Sequence, residues 1–192
     1  MTRGGRLAIA FGAALVVVIA GGLLFVGLAR RFAPSTPDVS AAIPAVAPAA
    51  PGRKIKAQLF YVADDGTRLM SVERDVAFAE GTMEQARHIV EAQIAPAAEP
   101  FISAVPPGTT LRAIFVTEGG EVYLDFSHEL VDSHPGGSMN EILTVYTLVN
   151  ALAANLPAVT AVQVLVEGKE VETLAGHVDL RQPLEKNLSW VQ

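Results

Sequence analysis

The chain has 192 residues, no cysteine and a formal net charge of −6, enough length for one ordinary domain and an extension. Residues 1–53 carry Arg3, Arg6, Arg30, Arg31 and Arg53 against Asp38, which leaves −10 for residues 54–192. An acidic domain without a basic patch argues against binding nucleic acid or anionic lipid through phosphates, and the lack of cysteine excludes a lipid-modified cysteine anchor.

After a short tail at 1–6 comes Leu7–Leu28, a 22-residue run with no charged or strongly polar side chain. At about 1.5 Å per residue, such a run spans a hydrocarbon core of roughly 30 Å. It is longer than the apolar stretch of a cleaved signal peptide and is closed by Arg30 and Arg31. Residues 7–28 are therefore expected to form a retained transmembrane helix. Arginines flank it on both sides, so the positive-inside rule nearly ties. The short N-terminus favours a bacterial cytoplasmic membrane with the soluble part on the extracytoplasmic side. Residues 29–53 hold Pro34, Pro37, Pro44, Pro48 and Pro51 among alanines and read as an extended spacer.

A domain is expected over 54–183, with a C-terminal tail at 184–192. Lys54–Val62 alternates in polarity and predicts a half-buried strand; Asp64-Asp65-Gly66 is a turn, and Arg68–Val76 returns. Thr82 with Gln85 three residues later has the capping-box pattern of a helix start, and Ala86, Ile89, Val90 and Ile94 form its apolar stripe before Pro96. Ala97–Gly108 is a proline-containing loop around Phe101 and Ile102. Leu111–Val116 and Val122–Phe126 are strands joined through Glu118-Gly119-Gly120. Ser138 and Glu141 form a second capping box for a helix with Ile142, Val145, Tyr146, Val149, Leu152, Ala153 and Leu156 at helical spacing, stopped by Pro157. Ala161–Val166 is apolar except at Gln163 and predicts a central strand. Glu167–Glu170 turns the chain and Val171–Leu174 returns. The order β-β-α-β-β-α-β-β predicts an α+β fold with two helices packed on a β-sheet.

The segments QLFYVADDG, HIVEAQI, AVPPGTTLRAIFV, VYLDFSHEL, TLVNALAANLPAVTAVQVLVEGKEVETLAGHVDL and RQPL, in this order from about Ile55 to Pro183, resemble the GerMN domain, the sporulation and spore-germination domain of bacterial envelope proteins. The resemblance implies a non-enzymatic part of an envelope assembly, carried by a secreted lipoprotein or a membrane-anchored protein. This chain departs from the pattern in lacking an anchoring cysteine and in showing one copy, where spore-forming members often carry two.

Asp125, Ser127, His128, Glu129, Asp132 and His134 crowd into ten residues. One reading is an envelope hydrolase or metal-dependent enzyme using Ser127, His128 and His134. No G-x-S-x-G elbow or H-E-x-x-H helix supports it. Strand alternation puts Asp125 and Ser127 opposite Val122, Leu124 and Phe126, hence in solvent. His88, near Glu84 and Glu91, reads as a surface residue. Gly136 and Gly137 lack the spacing and the lysine of a phosphate loop. A wall-glycan reading requires Tyr123, Tyr146 and Phe101 to form one exposed platform. The residues give no catalytic, cofactor or metal assignment and no small-molecule site. The expectation is a membrane-anchored interaction module. Its partner surface is the long loop holding Asp125, Ser127, His128, Glu129, Asp132, His134, Gly136 and Gly137, and its partner is another envelope protein or a second copy.

Overall fold

A computed structural model describes residues 52–192. The predicted transmembrane helix at 7–28 and the spacer up to residue 51 lie outside the described residues. Among the described residues no helix is long and apolar enough to cross a membrane.

Two antiparallel strands open the domain, β1 (Lys54–Val62) and β2 (Leu69–Ala77), paired without a bulge from Lys54↔Ala77 to Val62↔Leu69. Helix α1 (Thr82–Ile94) follows, then β3 (Leu111–Val116), β4 (Glu121–Phe126), the short helix α2 (Glu129–Asp132) and the long helix α3 (Ser138–Asn155). Strands β5 (Ala161–Val166) and β6 (Lys169–Glu170) complete a four-stranded sheet of order β3-β4-β5-β6, in which β4 and β5 run parallel. The architecture is α+β, as expected, but the strands form two sheets instead of one.

The outer edge of β1 explains the separation. Residues whose main chain points away from β2 would otherwise recruit another strand. Three of them, Gln58, Phe60 and Val62, are met by something else. The Asn155 carboxamide at the end of α3 accepts from Gln58 N at 2.8 Å and donates to Gln58 O at 2.8 Å. The Gln93 carboxamide of α1 makes the same two-way pair with Phe60, at 2.8 Å in both directions. Val62 N donates to Ile102 O at 2.8 Å. Two side chains and one loop residue thus stand where a neighbouring strand would lie.

Helix α3 is buried around most of its circumference, not along one stripe. Leu143, Val145, Leu148, Val149, Ala151 and Leu152 are buried, but so are Glu141, Thr144, Thr147 and Asn150. Ile142, Tyr146 and Ala153, assigned to the apolar stripe from spacing, are only half-buried. The helix is enclosed from several sides, so no single apolar face was available to read.

The last segment also differs from expectation. Val171–Leu174 is not a strand, because β6 ends at Glu170. Residues 171–184 instead form an irregular strap. It is held where the buried Gln163 carboxamide donates to Leu180 O at 2.6 Å and where Val162 and Leu184 exchange main-chain bonds of 2.9 and 2.8 Å. Residues 184–192 are no tail. Asn150 pairs both ways with the Asn187 main chain at 2.8 and 3.0 Å, and Gln192 N donates to Leu69 O at 2.9 Å.

The turn between β3 and β4 has one fixed requirement. Gly120 has φ +85°, and a Cβ there would stand 2.2 Å from Ala158 O, in the connection between α3 and β5. Any side chain would collide with main chain.

Three substitutions probe this packing. Replacing Gln93 by Leu keeps the volume but strands the buried N–H and C=O of Phe60, so it should cost about 3 kcal/mol in urea unfolding. Asn155→Leu, whose target Gln58 is exposed, should cost about 1 kcal/mol. Conversely, the buried Thr147 hydroxyl has no hydrogen-bond partner among the described residues, so Thr147→Val should raise stability by about 1 kcal/mol in the same assay.

Candidate functional site

The loop from the end of β4 to α3 is ordered by side chains that were expected to be free. Asp125 is 7% exposed, not solvated. Its Oδ1 accepts from Gly168 N at 2.7 Å and its Oδ2 lies 3.4 Å from Arg112 Nη1, which also reaches Glu167 Oε1 at 3.7 Å. Alternation did put Asp125 on the outward face of the sheet, but the β5–β6 turn covers that face. Ser127 Oγ accepts from Thr110 N at 3.0 Å, and Ser127 N donates to Thr110 O at 3.0 Å, which prolongs the β3–β4 pairing past the strand ends.

His128 is exposed, with Nε2 3.3 Å from Glu129 Oε1 and 4.0 Å from Asp132 Oδ2. The Ser127 hydroxyl and the residue's own backbone N–H lower the Glu129 carboxyl below its ordinary value, with a further contribution from His128. His134 points the other way, into the domain. Its Nδ1 accepts from Gly136 N at 3.0 Å and its Nε2 lies 3.2 Å from Thr144 Oγ1. Burial lowers its pKa, although Glu141 and the backbone at Asn140 act in the opposite sense. Ser127 and His128 both meet Glu129, whereas His134 turns away to Gly136 and Thr144, so the structure does not bring the three together around a reacting atom. Among the described residues no group of three His, Cys, Asp or Glu side chains is placed to hold a metal ion. His88, at the other end of the domain, has Nδ1 3.0 Å from Ala77 O; it contacts main chain, not its acidic neighbours.

Neither capping box forms. Both long helices begin after a glycine, Gly81 at φ +87° and Gly137 at φ +84°, with no side-chain cap. Only glycine adopts these angles without strain, and the residues expected to close the boxes are used elsewhere. Gln85 accepts from Ala79 N at 2.9 Å and donates to Ala77 O at 3.1 Å, so it fastens the end of β2. Glu141 is 0% exposed and accepts from Leu174 N at 2.8 Å and His177 N at 2.9 Å, with His177 Nδ1 at 3.2 Å. Burial by itself would raise the Glu141 pKa, but backbone N–H groups of Ala175, Leu174, His177 and Val178 outweigh it and the carboxyl lies below its ordinary value. Thr82 and Ser138 are simply the first helical residues.

A cleft opens beside this loop, and residue patterning did not single it out. About 500 Å³ in volume, it lies between the end of α1 and the start of β3, with Ile94, Pro96, Phe101, Ile102 and Val105 among its walls. A smaller cleft of about 190 Å³ shares Ile102 and Ser103 with it and is closed on its far side by Pro135 and Asn140. Ile102 is 60% exposed on the ridge between them. The ridge is firmly based: its main chain is bonded to Val62, and the neighbouring Phe101 ring lies 5.1 Å from Tyr61 with the Arg74 guanidinium 4.5 Å above it. The surface is chiefly apolar and suits an apolar side chain of another polypeptide. The three aromatics of the glycan reading stand on separate elements. Phe101 packs on Tyr61, Tyr123 on β4 reaches Glu121 Oε2 at 3.4 Å, and Tyr146 is half-buried on α3. The signal for the cleft was Phe101-Ile102 between prolines in a loop, an apolar pair with no periodicity to bury it.

The arrangement of a hairpin and a second sheet with one parallel crossover is similar in fold to solved GerMN domains. The tandem GerMN domains of the sporulation protein GerM from Bacillus subtilis match it with a TM-score of 0.54 and 15% identity, over 69% of this chain and 46% of that chain. A candidate lipoprotein from Clostridium perfringens matches with a TM-score of 0.50 and 16% identity, over 69% of this chain and 88% of that chain. The family model Germane, described as sporulation and spore germination, matches residues 58–172, and the chain belongs to that family. No match is found among curated proteins.

The carboxylate of Glu141 yields a prediction with a definite sign. Its folded pKa lies below the ordinary 4.5, so its contribution is fully present above about pH 4.5 and is lost as pH falls through the lower folded value. Glu141→Gln should cost about 2–3 kcal/mol at pH 7. In urea titrations the gap between variant and parent should narrow as pH drops below 4.5.

Proposed function

We propose that this chain is a non-enzymatic, membrane-anchored protein of the bacterial cell envelope whose Germane domain binds another envelope protein on the extracytoplasmic side. Residues 7–28 are the anchor and the proline-rich segment after them gives reach. The observation that carries the reading is the exposed, rigidly based Ile102 between two clefts, on the same end of the domain as the loop 127–137. The turn of His134 away from Ser127 and His128, into contacts with Gly136 and Thr144, supports a binding role over a hydrolytic one. Likeness to a candidate lipoprotein and to a sporulation protein supports the envelope setting.

A photocrosslinking residue placed at Ile102 in the full-length protein should capture a defined envelope protein from intact cells. The same probe at Glu73, on the exposed side of β2, should not, and Ile102→Asp should reduce co-purification of that protein about tenfold or more, as loss of a central apolar anchor does. Equal adduct lists from both probe positions, or an unchanged partner list when residues 55–183 are deleted, would remove this function.

A further inference from the structure

The hydrogen bonds around His134 fix where its proton sits. A backbone N–H can only donate, so the 3.0 Å contact from Gly136 N to Nδ1 requires an unprotonated Nδ1. The ring proton is then on Nε2 and is donated to Thr144 Oγ1 at 3.2 Å. The single proton of Thr144 goes on to Ala104 O at 2.6 Å or Asn140 O at 2.8 Å. One imidazole in one tautomer therefore joins the Pro135–Gly137 turn, helix α3 and the loop that walls both clefts. On its other side the turn is held by Asn140 Nδ2, which donates to Gly136 O at 2.8 Å.

We infer that His134 is an acid-released latch: a second proton on the ring lands on Nδ1, faces the Gly136 N–H donor, and frees the turn that closes the smaller cleft. Glu141 on α3 favours that proton, but its oxygens are occupied by the strap. His177 is the other titratable group at Glu141. On the ring's own segment stand His128, Glu129 and Asp132, of which the first contacts the other two. The loop 103–108 contributes no titratable side chain. Across the smaller cleft, the β1–β2 turn carries Asp64, Asp65 and Arg68, with Asp65 Oδ1 bonded to Thr67 N. The folded protein holds the ring neutral, so it binds fewer protons here than the unfolded chain. The latch is fully closed above the ordinary 6.5 and is lost as pH falls through a lower folded value.

Nitrogen NMR of the full-length protein tests this in two ways. At about pH 7.5 the His134 ring should show the Nε2–H tautomer, and an Nδ1–H tautomer overturns the latch. Between about pH 7.5 and 5, the exchange protection of the Gly136 amide should fall about tenfold or more relative to amides in β5. In His134→Gln, which donates and accepts without titrating, Gly136 protection should stay level. An equal fall in both proteins, or none in the parent, overturns it. Should the variant fail to fold, the tautomer and the parent's own protection profile decide.

Discussion

The outer edge of β1 is the constraint on which the domain is arranged. A strand flanked on one side only is a template for further pairing, and here that template is filled by the Asn155 and Gln93 carboxamides and by Ile102 O. Each carboxamide presents one donor and one acceptor, the same pair that a strand residue presents, and so satisfies one residue of the edge completely. With this edge closed, the hairpin cannot merge with the four-stranded sheet. Helices α1 and α3 are tied to it by hydrogen bonds as well as by packing, and the Phe101–Ile102 segment is held where the clefts require it.

The same device recurs at other joints. Gln85 fastens the end of β2, Asn150 the C-terminal segment, and Glu141 the strap with a charge instead of an amide. Buried polar groups are costly when unpaired and add little net stability when paired, but they discriminate strongly between the right neighbour and a wrong one. In this domain they set which segments meet, while Leu, Val and Ile side chains supply the bulk of the burial. The bond between Gln58 and Asn155 also spans 97 residues. The edge of β1 therefore stays open during synthesis until the end of α3 exists, and the hairpin cannot be sealed as an early, local unit.

Local order was legible in the residues; joints between distant segments were not. β1, β3 and β5 appear with the predicted limits, because alternation at Lys54–Val62 and the apolar run Ala161–Val166 are properties of a few adjacent residues. The helix starts at Thr82 and Ser138 were found for a mistaken reason. The pattern of a hydroxyl followed by Gln or Glu was present, but the preceding glycines adopt positive φ and Gln85 and Glu141 turn to residues 77–79 and 174–178. Asp125 was placed on the correct face and given the wrong exposure, since the β5–β6 turn that covers it is more than forty residues away. The clefts escaped for a related reason: a hollow between two loops and a helix end leaves no periodic trace, and the loop from Asp125 to Ser138 showed only that length was being spent there.

The contact beneath Gly120 divides the domain into two unlike ends. Because β4 and β5 are parallel, Glu121 and Ala161 begin side by side, and the turn before one is pressed against the connection before the other with no room for a methyl group. Neither turn can lengthen or gain a side chain without moving its neighbour. At the opposite end, where Phe126 and Val166 finish, the chain leaves the sheet into loops bounded by solvent and clefts. An added residue is thus refused beside Gly120, where main chain meets main chain, while the loops at the opposite end have open space next to them.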